Sequence, residues 1–349
     1  MSRPLIIAIG LLIAAQVMAG MLAPRRESAG IGSLPPGEFA GTLMLGGFRG
    51  LACDLLWMRA ADAKENHRTY ESVALTEAIT QVQPHFVDVW QHLAHDLAYN
   101  IAFDADGEDG RFAWFVAGVQ ANARGVERNP GVERLLRYLA WLFLNRGELF
   151  HSRVEDKDWT PLLNPLLAEV RQRCGNDARV VGFPPGGQLS TYAIAHGLYV
   201  AATVLGDYNH RQRGERILPA FVRRLVVHTI ECDGDLLRGR GEHLAAVRRW
   251  IDAGEAWATV AAWLATPVED DADLSARIST REVHDRKEGQ LRRRAADLAV
   301  LLAPDPASAV ACANAIIARQ WEIARNLLAQ PGWKITIGLN DHVRWLDQR

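Results

Sequence analysis

Across residues 51–143 the apolar positions recur at the three- and four-residue steps of amphipathic helices, in three blocks. Leu51, Leu55, Leu56 and Met58 form the first, Trp90, Leu93, Ala94 and Leu97 the second, and Leu135, Leu136, Leu139, Ala140 and Phe143 the third. Lys64, Glu65, His67 and Arg68 interrupt the first block and predict a hairpin turn. Val73, Ala74, Ala78, Ile79 and Val82 then predict a returning helix, which Pro84 ends. The second block returns through a helix carrying Gly118 and Gly125, closed by Pro130. From Pro84 to Pro130 is 46 residues, and the acidic stretch 104–110 is the expected site of the surplus length, as a loop. Asn122 stands where this second helix calls for an aromatic, and Trp114 and Phe115 are expected to supply the bulk instead.

Each block also carries a small residue, Ala60, Ala94 or Ala140, where two helices are expected to approach closely. Ala60 and Ala94 are 34 residues apart, Trp90 follows Pro84 by six residues, and Leu136 follows Pro130 by six. This pattern of Ala60, Pro84, Trp90, Ala94, Gly118, Gly125, Pro130 and Ala140 resembles the tetratricopeptide repeat. The resemblance implies an all-α fold, an α-solenoid of antiparallel helix hairpins. It also implies a concave surface that grips a protein or peptide partner. Residues 44–146, including LGGFRGLACDLLWMRA and GVERNPGVERLLRYLAWLFLNR, are similar to a group of uncharacterised bacterial proteins with an N-terminal hydrophobic segment and tetratricopeptide-like helices. Those proteins offer no catalytic residue to carry over.

Beyond the third block, residues 148–158 read as a polar loop, and Thr160 with Pro161 opens a helix through 162–173. Residues 182–187, with Pro184 and Pro185, mark a break. Further helices are expected at 188–206, 214–231, 236–265, 275–302 and 306–330, with Pro219 kinking the second of them. The last divides at Arg319, Gln320 and Trp321 into a terminal hairpin. Repeats are thus expected over 38–183 and a helical C-terminal region over 184–349. No alternating run of strand length interrupts the pattern.

Residues 5–23 carry no charge and lie between Pro4 and Pro24. As a helix they would extend roughly 28 Å, close to a bilayer core. The favoured reading is an N-terminal hydrophobic helix that anchors the chain in a membrane, with 24–37 as a linker and the bulk outside the cytoplasm. The alternative is a signal peptide cut after Ala19, giving a secreted protein.

Composition changes this picture little. Apolar residues make up 49% and charged ones 23%, as in an ordered globular chain. A net charge of −2 gives no footprint for nucleic acid, and none is expected as a partner. Arg286, Lys287, Arg292, Arg293 and Arg294 alternate with acids, as on a salt-bridged helix face. The four cysteines are far apart and read as buried thiols.

Candidate chemistry is thin. His92, His95 and Asp96 share a helical face, and two imidazoles three residues apart can meet one metal. They lack the glutamate and third ligand of a hydrolytic zinc site, so helix-packing or surface histidines are the preferred reading. The acidic loop lacks glycine at the sixth position of a calcium loop counted from Asp104. No phosphate-binding loop is present. The expected function is a membrane-tethered interaction scaffold with no catalytic residues and no cofactor. The alternatives are a metal-dependent enzyme built on His92, His95 and Asp96, or a structural subunit of an envelope complex.

Overall fold

The computed structural model describes residues 48–147, 150, 160–174, 190–213, 219–268 and 271–338. The expected anchor at 5–23, the linker at 24–37 and the break at 182–187 lie outside the described residues. Among the described residues every regular element is helical, so the chain is all-α. The helices are α1 (Phe48–Glu65), α2 (Thr69–Val82), α3 (Val87–His95), α4 (Gly107–Arg128), α5 (Glu133–Asn145) and α6 (Thr160–Cys174). They continue as α7 (Thr191–Arg213), α8 (Pro219–Gly239), α9 (His243–Leu264), α10 (Asp271–Leu302), α11 (Pro306–Ile317) and α12 (Trp321–Leu328). Among the described residues no helix is long and apolar enough to cross a membrane. The chain divides into two compact units, Met1–Asp96 and Leu97–Arg349.

In the first unit α1 packs on α2, and α2 on α3. Ala60 and Ala94 are both buried. At Ala60 the small methyl side chain lets α2 come close enough for Ser72 Oγ to donate to the Ala60 carbonyl at 3.0 Å. Trp90 is buried, and its Nε1–H donates to the carbonyl of Pro84 at 2.7 Å. That bond gives the six-residue spacing a cause: a buried indole needs an acceptor for its one donor. The turn from α1 to α2 places His67 in the left-handed region at φ 55°. His67 N donates to Lys64 O and Arg68 N to Ala63 O, which satisfies two of the last carbonyls of α1.

One expectation fails here. The stripe Leu51, Leu55 and Met58 is 50–60% exposed. The packed face of α1 is Cys53, Ala60 and Ala63, with Leu56 and Trp57 partly covered. Close approach of α2 selects the small residues, which leaves the bulky stripe outside. Asp54 and Asn100 are also exposed.

In the second unit α4 packs on α5 and α6, and α5 on α7. From α7 to α12 each helix packs on the next, with further contacts of α8 with α10 and α9 with α12. Gly118, Gly125 and Ala140 are buried, whereas Pro130 is exposed beside Gly131, whose φ is 78°. Phe115 supplies the bulk expected of it, 5.1 Å from Phe150 and 6.2 Å from Phe143 between ring centroids.

The acidic loop is not found. After a π-helical turn (Asp96–Ile101) and three helical residues (Ala102–Asp104), only Ala105 and Asp106 precede α4. Glu108 and Asp109 stand in the first turn of α4, where negative charge complements the helix dipole. The surplus length is helix, because α4 alone runs for 22 residues.

Helix α8 also departs from expectation. Its described part begins at Pro219, and the expected stretch 214–218 lies outside the described residues. The helix then runs through the polar stretch Glu231, Cys232, Asp233, Gly234 and Asp235, which reads in sequence as its end. Each acid has a partner on another helix: Glu231 meets Trp257 and Lys287, Asp233 meets Arg249, and Asp235 meets Arg294. Gly234 lies under the Trp250 indole, and a Cβ there would stand 2.6 Å from the ring. Gly254 is covered by Trp321 in the same way, at 2.7 Å. Trp250, Trp257 and Ile251 sit at the centre of the core shared by α8–α12.

Candidate functional site

The predicted cluster lies at the end of the first unit. Lys64 Nζ donates to Asp96 Oδ1 at 2.8 Å, and His92 Nε2 lies 3.2 Å from Oδ2. Burial pushes the Asp96 carboxyl up, but the hydrogen bonds from His92 and Lys64 outweigh it and hold the carboxyl well below its ordinary range. The His92 ring also meets Trp57 edge-on at 5.2 Å. Both oxygens of Asp96 therefore serve an ion-pair arrangement between α1 and α3. His95 is partly buried on α3. Among the described residues no group of three or more His, Cys, Asp or Glu side chains is placed to hold a metal ion.

Of the basic stretch on α10, Lys287, Arg292 and Arg294 pair with acids, whereas Arg286 and Arg293 are exposed. Lys287 reaches Glu231, and Arg294 pairs with Asp235 and covers the Trp250 ring at 4.5 Å. Glu288 is buried, with Arg292 Nε at 2.6 Å. It also accepts a two-pronged pair from Arg319, at 2.9 and 3.1 Å. Arg319 follows α11 with φ 59°, Arg319 N donating to Ile316 O and Gln320 N to Ala315 O. Its left-handed backbone closes α11 while its side chain ties α11 to α10.

The described residues of the second unit include two openings. One is a groove of about 440 Å³ where the end of α9 meets the start of α10. Leu264, Val268, Leu274 and Ile278 give it an apolar floor, and Arg281, Glu282 and Asp285 give it a charged rim. Leu274 and Ile278, one helical turn apart, are 46% and 54% exposed. Arg277 holds the corner in shape: its Nη1 donates to the carbonyl of Thr266 at 2.9 Å, and the guanidinium lies 3.9 Å over the Trp263 ring.

The other is a recess of about 130 Å³ lined by residues of α7, α8 and α9. Ser190 caps α7, its Oγ accepting from Ala193 N at 3.0 Å. The same Oγ–H donates to Asp233 Oδ1 at 2.6 Å, and Arg249 Nε donates to Oδ2 at 2.7 Å. Beside this pair His196 faces the recess, with Nδ1 3.1 Å from the Val226 carbonyl. Burial pushes the His196 imidazole below its ordinary pKa. The Val226 bond, Asp233 and Asp252 oppose that shift, and Arg249 adds to it.

Sequence reasoning missed both openings. Ile278 falls within the helix expected at 275–302 and Leu274 just before it, with no sign that they face solvent. Ser190 falls inside a helix expected from residue 188, and its pairing with Asp233, 43 residues away, has no local signal. No family model, curated protein or solved structure matches this chain.

Proposed function

We propose that this chain is a tetratricopeptide-like α-solenoid, tethered to a membrane through residues 5–23, that docks a protein or peptide partner and has no catalytic activity of its own. The groove at the α9–α10 corner carries this reading. A soluble surface rarely leaves two large apolar side chains on successive turns above an apolar floor unless something covers them. The mixed charges of Arg281, Glu282 and Asp285 give a polar rim without a dominant sign. That suits a partner helix or peptide offering one or two apolar anchors. The packing of each helix from α7 to α12 on its successor supports the solenoid part of the proposal.

The test is affinity capture of the full chain from native membranes, comparing wild type with Leu274→Asp plus Ile278→Asp. The expected result is a specific partner held by wild type and lost by the variant, with helix content unchanged. Absence of any specific partner, or equal capture by the variant, overturns the docking role. Release of the chain from membranes by alkaline carbonate overturns the anchor separately.

A further inference from the structure

The recess between α7, α8 and α9 has a feature that its structural role does not use. The Val226 carbonyl can only accept, so the hydrogen of His196 sits on Nδ1. Thr229 Oγ1 lies on the same side of the ring, 3.3 Å from Nδ1, and donates to the same carbonyl. Nε2 therefore carries a lone pair, and no described residue hydrogen-bonds it. Both oxygens of Asp233 are taken, one by Ser190 and the other by Arg249 Nε. The Arg249 charge is offset by Asp233 and, at 3.8 Å, by Asp252. Ala193 and Ile230 add apolar wall. The space, about 130 Å³, is near the size of cavities of about 150 Å³ that hold a single benzene ring.

We propose that this recess binds a neutral, hydrogen-bond-donating aryl group of the phenol class, whose hydroxyl donates to His196 Nε2 while its ring lies against Ala193 and Ile230. The lone pair sets the selectivity. It favours a donor, gives nothing to a plain hydrocarbon, and repels the oxygens of a carboxylate. The site is separate from the α9–α10 groove and stands whether or not that groove docks a partner.

The test reads Nε2 itself. Diethyl pyrocarbonate acylates neutral imidazoles, and mass spectrometry of the full chain follows the labelling rate of His196 at pH 7 in the presence of p-cresol, toluene or benzoate. His92, 40% exposed at its side chain, serves as the internal control. The expected result is that p-cresol protects His196 at a concentration about tenfold below that of toluene, the worth of one hydrogen bond. Benzoate should not protect, and His92 labelling should not change. Equal protection by toluene, no protection by p-cresol, or no labelling of His196 without ligand each overturns the proposal. His196→Phe, which keeps a ring and removes the acceptor, should bind p-cresol no better than toluene. Because the ligand comparison uses the wild-type chain, a variant that failed to fold would leave the test intact.

Discussion

The α1–α3 region and the α8–α12 region solve the same problem, helix against helix, with different side chains. In the first, small residues let backbones meet, as where Ser72 donates to the Ala60 carbonyl, and one described core cluster holds Cys53, Ile79 and Val89 with partly buried neighbours. In the second, indoles lie over glycines, and buried acids are clasped from neighbouring helices. Spacing by small residues needs only a short reach and repeats easily. Packing by tryptophan on glycine buries more area but ties each contact to one partner. Damage should therefore be local and severe in the second region and milder in the first.

The largest effect is expected for Trp257→Ala, which empties a core position and takes a donor from Glu231. A loss of about 3–5 kcal/mol should appear in urea unfolding. Ile79→Ala in the first region should cost about 2 kcal/mol, and an equal cost for both would break the comparison. Next comes Glu288→Gln, which leaves Arg292 and Arg319 without their anion. Because Arg319 stays about half in water, about 1–3 kcal/mol is expected by the same measurement. Gly234→Ala is smaller. Overpacking against Trp250 costs about 1–3 kcal/mol, and better helix propensity returns about 1 kcal/mol, so a net loss of about 1 kcal/mol should lower the melting temperature.

The gentlest probe is pH. The folded His196 has a lowered pKa, so below its ordinary value of 6.5 the unfolded chain binds the proton first. Its contribution is full above that value and declines as pH falls toward the lowered one. Glu231 and Glu288 have lowered pKa values, because bonds from His228 and Trp257, and from Arg319 and Arg292, outweigh burial. Their stabilisation is present above about 4.5, the ordinary glutamate value, and is lost as pH falls through the folded ones. Asp96 behaves likewise, from an ordinary value of 3.8. Hydrogen exchange followed against pH should thus show the α8–α12 region loosening before α1–α3, and the reverse order would count against these assignments.

The contrast also explains what could be read in advance. Ala60, Ala94 and Ala140 are buried, and the helices around them lie where the apolar period put them. Period alone could not say which of two apolar stripes on α1 faces inward, because both repeat at helical steps. It failed at residues 231–235 for a different reason. Acids and a glycine in series look like a helix end until their partners are known, and those partners lie 16 to 59 residues away. The recess and the groove were invisible for the same reason, being made by residues that meet only after three helices, or a helix and a corner, have packed.

The two left-handed helix ends that are not glycine give contrary advice to anyone engineering this protein. Consensus practice writes glycine at such positions, since it adopts positive φ without a Cβ penalty. At His67 that rewrite should help or be silent, the side chain being exposed. At Arg319 the same rewrite would ease the backbone and remove the fork that neutralises Glu288, leaving an acid with half its counter-charge. A rule applied by backbone angle alone would treat the two as one site, and would weaken the protein at the second while tidying the first.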